Sequence, residues 1–346
     1  MSGDGGPRVA VVGGGIIGLA VAAELAGRGA DVTVFDPEPD GRDGAWHVAA
    51  GMLAPGGESA FEYPHLTRLL EASNELWPWY AAALGDVGYD DAGTLGVALT
   101  ADDVADSVRE WKHQKLTPLP GSQLRDREPA LSPRVRAGVY APAERQVDPR
   151  KVVAALRTSL AGRIVPKRID SLSDVDADIT VVAAGCGTAA LTGLPIRPVK
   201  GQVLRLRGEP GLIRHVIHGI ADGRAVYLVP RADGEVVVGA TQEERSDRAI
   251  TVGGVHDLLR AALDLVPGLA EHEITEVTVG HRPGTPDNAP ILGYLDHTRR
   301  TVVAAGHHRN GVLLAPITAR LIADLVLTGS AGNVLDDFAP RRFGCA

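Results

Sequence analysis

Apolar positions along this chain come in two forms, short unbroken runs rich in β-branched residues and stretches where they recur at helical spacing. Residues 9–12 are unbroken and apolar, as a strand covered on both faces requires, and three glycines follow at once. Leu19, Ala22 and Leu25 then recur at helical spacing up to Gly27 or Gly29, and residues 31–35 read as a second strand. A buried strand ending in small residues returns at 178–185, and another at 301–306 turns into an apolar helix over 312–327. Leu66, Leu69, Leu70, Leu76 and Tyr80 place a helix in residues 63–84, with Trp77 and Trp79 expected to pack. Asp148 as N-cap and Pro149 at the first position open another, with Val152, Val153, Leu156 and Leu160 on one face.

A different text lies between these stretches. Residues 94–100, 136–140, 203–206, 227–231, 235–240 and 276–282 read as short strands, with Asp233-Gly234 turning a hairpin. Ala101-Asp102-Asp103 begins a helix with an acidic first turn, residues 254–269 form an amphipathic helix, and residues 284–288 read as a loop. No repeat or low-complexity linker separates the two texts, so the β-rich part is predicted to be inserted into the βα part. The expected α/β architecture has one discontinuous nucleotide-binding domain (1–90, 145–197 and 282–346) and a substrate domain (91–144 and 198–281).

Gly13, Gly15 and Gly18 give the spacing G-x-G-x-x-G directly after a strand and at the start of a helix. The first glycine makes the turn, the second lets backbone approach a pyrophosphate, and the third packs helix on strand. Phosphates are expected on the helix N-terminus, next to Ile16 and Ile17. Asp36 ends the second strand 18 residues after Gly18, where a carboxylate suits ribose hydroxyls and repels the additional phosphate of NADP. The motif predicts a dinucleotide and leaves its identity open. Ala184 and Gly185 end another strand where it would face the nucleotide. The run of small residues 45–55 either lies flat against a planar ligand or is a closely packed helix start.

Length leaves room for two cores in 346 residues, and 45% hydrophobic with 23% charged residues predicts a soluble globular chain. A net charge of −8 without a basic block argues against nucleic acid and anionic membranes, so an anionic substrate needs local arginines. Residues 9–23 carry four glycines and run into Glu24, which speaks against a membrane span. The first seven residues resemble a frayed terminus more than an export signal. Cys186 and Cys345 are the only cysteines, with no C-x-x-C and no Cys/His cluster, so no metal site or disulfide framework is expected, and the expected compartment is a reducing cytoplasm. Cys186 reads as a packed thiol.

Five further blocks appear in order: AAGMLAP (49–55), YLVPR (227–231), VVVGAT (236–241), GHRPGTPDNAPILG (280–293) and AAGHHRNGVLLAP (304–316). With the opening motif they make a chain that resembles, nearly end to end, the FAD-dependent D-amino acid oxidase superfamily, and within it the glycine oxidases of thiamine biosynthesis. The resemblance implies a Rossmann-type FAD-binding domain with an inserted α+β substrate domain on a mixed, largely antiparallel sheet. It implies FAD held without a covalent bond, by Gly13, Gly15, Ile16, Ile17, Gly18, Asp36, Ala49, Ala50, Gly51, Met52, Ala184, Gly185, Arg282, His308, Arg309, Asn310, Gly311, Val312 and Leu313. Ala49 to Met52 would border the isoalloxazine ring, and the positive end of the last helix would face the flavin N1 and C2 carbonyl.

For the substrate, the resemblance implies Arg282 as carboxylate clamp, Tyr227 as a second donor to that carboxylate, Arg309 at the mouth and Met52 alongside. A guanidinium fork suits a carboxylate where an ammonium does not. Taken singly, an arginine is more often a surface ion pair, but the Gly- and Pro-rich turns beside Arg282 and Arg309 favour a functional role. The implied chemistry is hydride transfer from Cα to flavin N5 without a protein base, then imine hydrolysis to an oxoacid and ammonia, with oxygen reduced to hydrogen peroxide. Glycine, sarcosine and small D-amino acids are the expected substrates, with a thiazole synthase as possible partner and a homo-oligomer as the expected state. A D-amino acid oxidase or dehydrogenase using another acceptor is the alternative, and a regulator without chemistry is the reading from another class. His308, Gln242 and Ala225 stand where relatives often carry an aromatic residue, a methionine and a polar residue, so substrate preference is the feature least fixed.

Overall fold

The computed structural model describes residues 6–38, 41–56 and 63–344. The chain begins β1 (Arg8–Val12), α1 (Ile16–Gly27), β2 (Asp31–Phe35), α2 (Ala45–Val48), β3 (Met52–Leu53) and α3 (Pro64–Leu84). It continues β4 (Thr94–Ala98), α4 (Ala101–His113), β5 (Leu119–Pro120), α5 (Gly121–Arg127), β6 (Ala137–Ala141), β7 (Arg145–Gln146) and α6 (Pro149–Ser159). Then come β8 (Ile164–Val165), β9 (Ile179–Val182), α7 (Thr188–Thr192), β10 (Arg197–Arg207), β11 (Val216–Ala221), β12 (Arg224–Pro230) and β13 (Glu235–Gly239). The last elements are α8 (Val252–Leu265), β14 (Glu273–Gly284), β15 (Ile291–Tyr294), β16 (Thr301–Ala305) and α9 (Gly311–Thr328).

Two large sheets divide these strands. One has six strands in the order β15-β16-β9-β1-β2-β8, all parallel except β15. The order reverses between β1 and β9, and such a reversal opens a crevice at the carboxyl ends of the strands. The other sheet has eight strands, β14-β10-β13-β12-β11-β4-β6-β5, antiparallel except where β11 meets β4. The α/β class with a mixed, largely antiparallel second sheet is thus what the protein has. Strands β10 and β14 extend past residues 197/198 and 281/282, so two of the four expected breaks fall inside strands.

Each sheet has its own core. Leu19, Val21, Leu25, Leu70, Leu156 and Ile322 belong to the larger, around the six-stranded sheet, while Leu95, Leu204, Ile217, Leu228 and Leu265 centre the other. A small cluster of Val48, Ala50, Val203, Val216, Val229 and Val237 joins the backbone after β2 to the second sheet. Helix α9 is long and apolar enough to cross a membrane by length and composition, yet its face is spent on protein, with Leu314, Ala315 and Ile322 fully buried.

Several local expectations are met in detail. Asp148 caps α6 by accepting from the Arg150 N–H at 2.8 Å. Asp103 closes a capping box with Thr100 and also accepts from the Asp222 and Gly223 N–H groups at 3.1 and 2.9 Å, tying α4 to the β11–β12 turn. Trp79 departs from expectation: it is 80% exposed, whereas Trp77 is buried and donates from Nε1 to the Leu313 carbonyl at 2.9 Å. Two residues along a helix turn a side chain to the opposite face, so both tryptophans cannot pack on one core. The helix expected over residues 254–269 stops at Leu265, because Pro267 cannot extend it, and a short 3-10 turn follows over Pro267–Glu271. Helix α5 and strands β11 and β15 were not foreseen.

Candidate cofactor and substrate site

The first turn of α1 shows what each glycine does. Gly13 sits at φ +116°, and a Cβ there would overlap the backbone of Ala183 at the end of β9. A Cβ on Gly18 would overlap the Gly13 carbonyl, so helix and strand meet at a distance only glycine permits. At Gly15 the nearest atom to a Cβ is Cδ1 of Trp46 at 3.8 Å, so the space above the helix N-terminus is open. Gly15 is the N-cap of α1 and provides no side-chain cap, leaving the first N–H groups available to an anion.

That space belongs to a cavity of about 640 Å³ that continues between the two sheets. Asp36 borders one end, where its Oδ2 accepts from the Gly14 N–H at 2.6 Å and its Oδ1 from the Glu38 N–H at 2.9 Å. A carboxylate has about four acceptor positions, so both oxygens retain capacity for hydroxyls. Residues 167–170, directly after β8, border the cavity as well. They lie at the carboxyl end of a parallel strand, as the switch-point rule requires, but β8 has two residues and leaves no periodicity in the sequence. Trp46 borders the cavity as well; Arg157, outside it, donates from Nη2 to the Gly14 carbonyl at 3.4 Å.

The residues Ala49, Ala50, Gly51 and Met52 all border the cavity. Gly51 stands at φ +83°, its carbonyl accepts from the Val147 N–H at 2.9 Å, and a Cβ would overlap the Val147 carbonyl. Met52 pairs with Gln146 in the two-stranded β3–β7 ladder. Ala184 and Gly185 border the cavity beyond β9, followed by Cys186. Burial pushes the Cys186 thiol up to about 11, so it is neutral and not a nucleophile.

At the far end, the second sheet presents Tyr227 on β12 and Arg282 on β14. Tyr227 pairs with Gly239 on β13, and its ring occupies the room a Cβ on Gly239 would need. Arg282 lies over Gly201 of β10 and donates from Nη1 to the Thr241 carbonyl at 3.2 Å. Gln242, Ser246, Arg248, His218 and Ala225 border the same space. The backbone from Gly239 to Thr251 is fixed from below. Lys200, fully buried, reaches Asp247 at 2.9 Å and Glu243 at 3.4 Å, and Gln202 donates to Glu243 and Thr251 at 2.9 Å each. Arg248 reaches Asp43 at 2.6 Å, so an ion pair links the two sides of the cavity.

The turn before α9 brings in His308, Arg309, Gly311 and Val312. His308 is held at φ +50°, and its N–H donates to the Pro283 carbonyl at 2.9 Å. Burial, then Arg282 and Arg309, push its imidazole down to about 4, so it is neutral. His307 borders the cavity too, but its Nε2 lies 3.1 Å from Thr318 Oγ1, and burial lowers it to about 3. Three of the expected contacts do not border the cavity. Gly18 faces β1 and β9, Asn310 is the buried N-cap of α9, and the Leu313 carbonyl accepts from Ser73 Oγ at 2.6 Å and from Trp77.

Glycine turn, open helix N-terminus and acidic strand end, all bordering one cavity, fit a dinucleotide whose pyrophosphate would lie at Gly15. A family model described as FAD dependent oxidoreductase matches residues 8–325. The chain belongs to that family. FAD is accordingly its cofactor. The chain is 33% identical to a glycine oxidase of Geobacillus kaustophilus, over 92% of each chain. It is 35% identical to a "Bifunctional protein ThiO/ThiG" of Synechocystis sp., over 97% of this chain, and spans about half (54%) of that relative's length. The solved glycine oxidase of Geobacillus kaustophilus superposes with a TM-score of 0.84 at 32% identity, covering 92% of this chain and 95% of the other. An iminodiacetate oxidase of Chelativorans sp. superposes at 0.83 with 26% identity, covering 96% and 99%. Among the described residues no cluster of three or more His, Cys, Asp or Glu is placed to hold a metal ion.

Proposed function

We propose that this chain oxidises small amino acids, glycine first and then sarcosine and small D-amino acids, to an oxoacid and ammonia or an amine, with oxygen reduced to hydrogen peroxide. One observation carries the reading: Arg282, Tyr227 and residues Ala49 to Met52 border the same cavity as the dinucleotide turn. Bound FAD supplies the hydride acceptor. Arg282 grips the substrate carboxylate as a planar fork, Tyr227 donates to the same group, and Arg309 sits at the mouth. Fixing the carboxylate orients Cα towards the wall formed by Ala49 to Met52. Neither histidine of the last turn serves as base, since His307 is bonded to Thr318 and His308, with its pKa lowered to about 4, is too weakly basic to hold a proton taken from an ammonium, so the substrate enters as the free amine. The product imine of glycine suits a thiazole synthase as consumer. Support comes from relatives in which ThiO and ThiG are one chain.

Peroxide release from a panel of glycine, sarcosine, D-alanine, iminodiacetate and L-alanine tests the reading. Turnover of glycine with stoichiometric peroxide is expected. Turnover with a quinone or dye acceptor but none with oxygen would favour a dehydrogenase, and no turnover of any panel member would end the proposal.

A further inference from the structure

Two arginines outside the cavity hold the backbone of the segment that lines it. Arg231, the residue after β12, donates from Nη2 to the Ala50 carbonyl and from Nη1 to Gln146 Oε1 at 2.7 Å. Arg150, near the start of α6, donates from Nε to the His47 carbonyl at 2.8 Å, and its two Nη atoms grip Glu276 at 3.0 and 2.7 Å. His47 lies in the last turn of α2, where a carbonyl has no partner within the helix. Neither arginine borders the cavity, whereas Val48, Ala49, Ala50, Gly51 and Met52 all do.

A carbonyl and the N–H of the same trans peptide point in opposite directions. With the Ala50 carbonyl drawn back to Arg231, the Gly51 N–H faces away from that guanidinium. The neighbouring peptide is fixed too, because the Gly51 carbonyl accepts from Val147 N–H at 2.9 Å. A charged donor on a carbonyl also withdraws density from the amide and makes its N–H a stronger donor. The anchor is rigid: Gln146 is 3% exposed and its Nε2 is 3.3 Å from Asp90 Oδ2.

We propose that Arg231 is a positioning residue, anchored by Gln146, that holds the Ala50–Gly51 peptide with its N–H presented as a fixed, polarised donor to the ring of bound FAD. This rests on the reading that residues 49–52 border that ring. The readout is the affinity of the FAD-saturated protein for sulfite, which adds to flavin more tightly the more electron-demanding the ring is. Arg231→Met is expected to raise the sulfite dissociation constant about fivefold, the fold-change of one ordinary hydrogen bond, with Arg231→Lys recovering part of it. Gln146→Leu should raise it about twofold, and it decides the matter should Arg231→Met fail to fold. Met52→Ala is the control for the seat of the ring and should shift the flavin absorption bands. Lower thermal stability in Arg231→Met and Gln146→Leu with sulfite affinity equal to wild type would reduce both residues to structural roles and overturn the proposal. A Met52→Ala spectrum identical to wild type would instead remove the seat of the ring on which it rests.

Discussion

Arg282 lies across the bare backbone of Gly201, where a Cβ would stand 2.5 Å from its Nη1 and 2.9 Å from its Cζ. The register of β10 against β14 sets Gly201 opposite Gly280 and Val199 opposite Arg282. The strand that carries the fork is therefore paired with the strand that leaves room for it.

Gly201→Ala should displace the fork and Arg282→Lys should replace it with a point charge, both without touching the dinucleotide turn. Arg282→Lys is expected to lower kcat/KM for glycine by about 2–5 kcal/mol of transition-state binding. Gly201→Ala, an overpacking change, should cost about 1–3 kcal/mol. FAD affinity, measured by titrating apoprotein, should change far less in both. Unchanged kcat/KM in Arg282→Lys would show that the carboxylate is held elsewhere.

His307 makes a statement about acid stability. Its pKa in the folded protein is about 3, against 6.5 for the unperturbed group, so the unfolded chain takes up the proton first. Stability from this group is complete above about 6.5 and is lost as pH falls towards 3, at roughly 1.4 kcal/mol per pH unit. Urea midpoints at pH 7, 6 and 5 should therefore fall more steeply for wild type than for His307→Gln. Parallel lines would mean that the imidazole is not kept neutral by burial.

The sequence made β1, α1 and β2 legible because three independent signals coincide there: an apolar run, glycines at fixed spacing and an acidic residue at the strand end. Arg282 and Tyr227 were legible only through resemblance, since a lone arginine on a strand has no local pattern that separates clamp from ion pair. Residues 167–170 and Trp46 were invisible because they reach the cavity through a two-residue strand and a four-residue helix, too short for any period to show. Arg231 lay within a recognised block, but its partner Gln146 is 85 residues away in the chain, and that pairing exists only in the fold.

Cys186 bears on how FAD is held. It borders the cavity, which its place after a strand did not suggest, yet its thiol is raised to about 11 and stays protonated at neutral pH. Cys345 lies outside the described residues. Acid precipitation should release all FAD into the supernatant, equally from wild type and Cys186→Ala. Flavin retained in the wild-type pellet and lost from the variant's would establish a covalent bond.

The rate should follow the protonation of the substrate and not of the protein. His308 borders the cavity, and with its pKa lowered to about 4 it changes no charge between pH 6 and 10. Hydride can leave Cα only when nitrogen carries a free lone pair, so the ammonium must lose its proton to solvent before the step. It follows that kcat/KM for glycine rises with pH through the ionisation of the amine, and that His308→Ala keeps the same rising limb even where KM moves. His307→Gln should keep it as well. The decisive measurement is oxygen uptake from neutral to alkaline pH at limiting glycine, in wild type and both variants, each shown to hold FAD. A rising limb that disappears in His308→Ala, while the flavin spectrum persists, would make that imidazole the base and refute the arrangement.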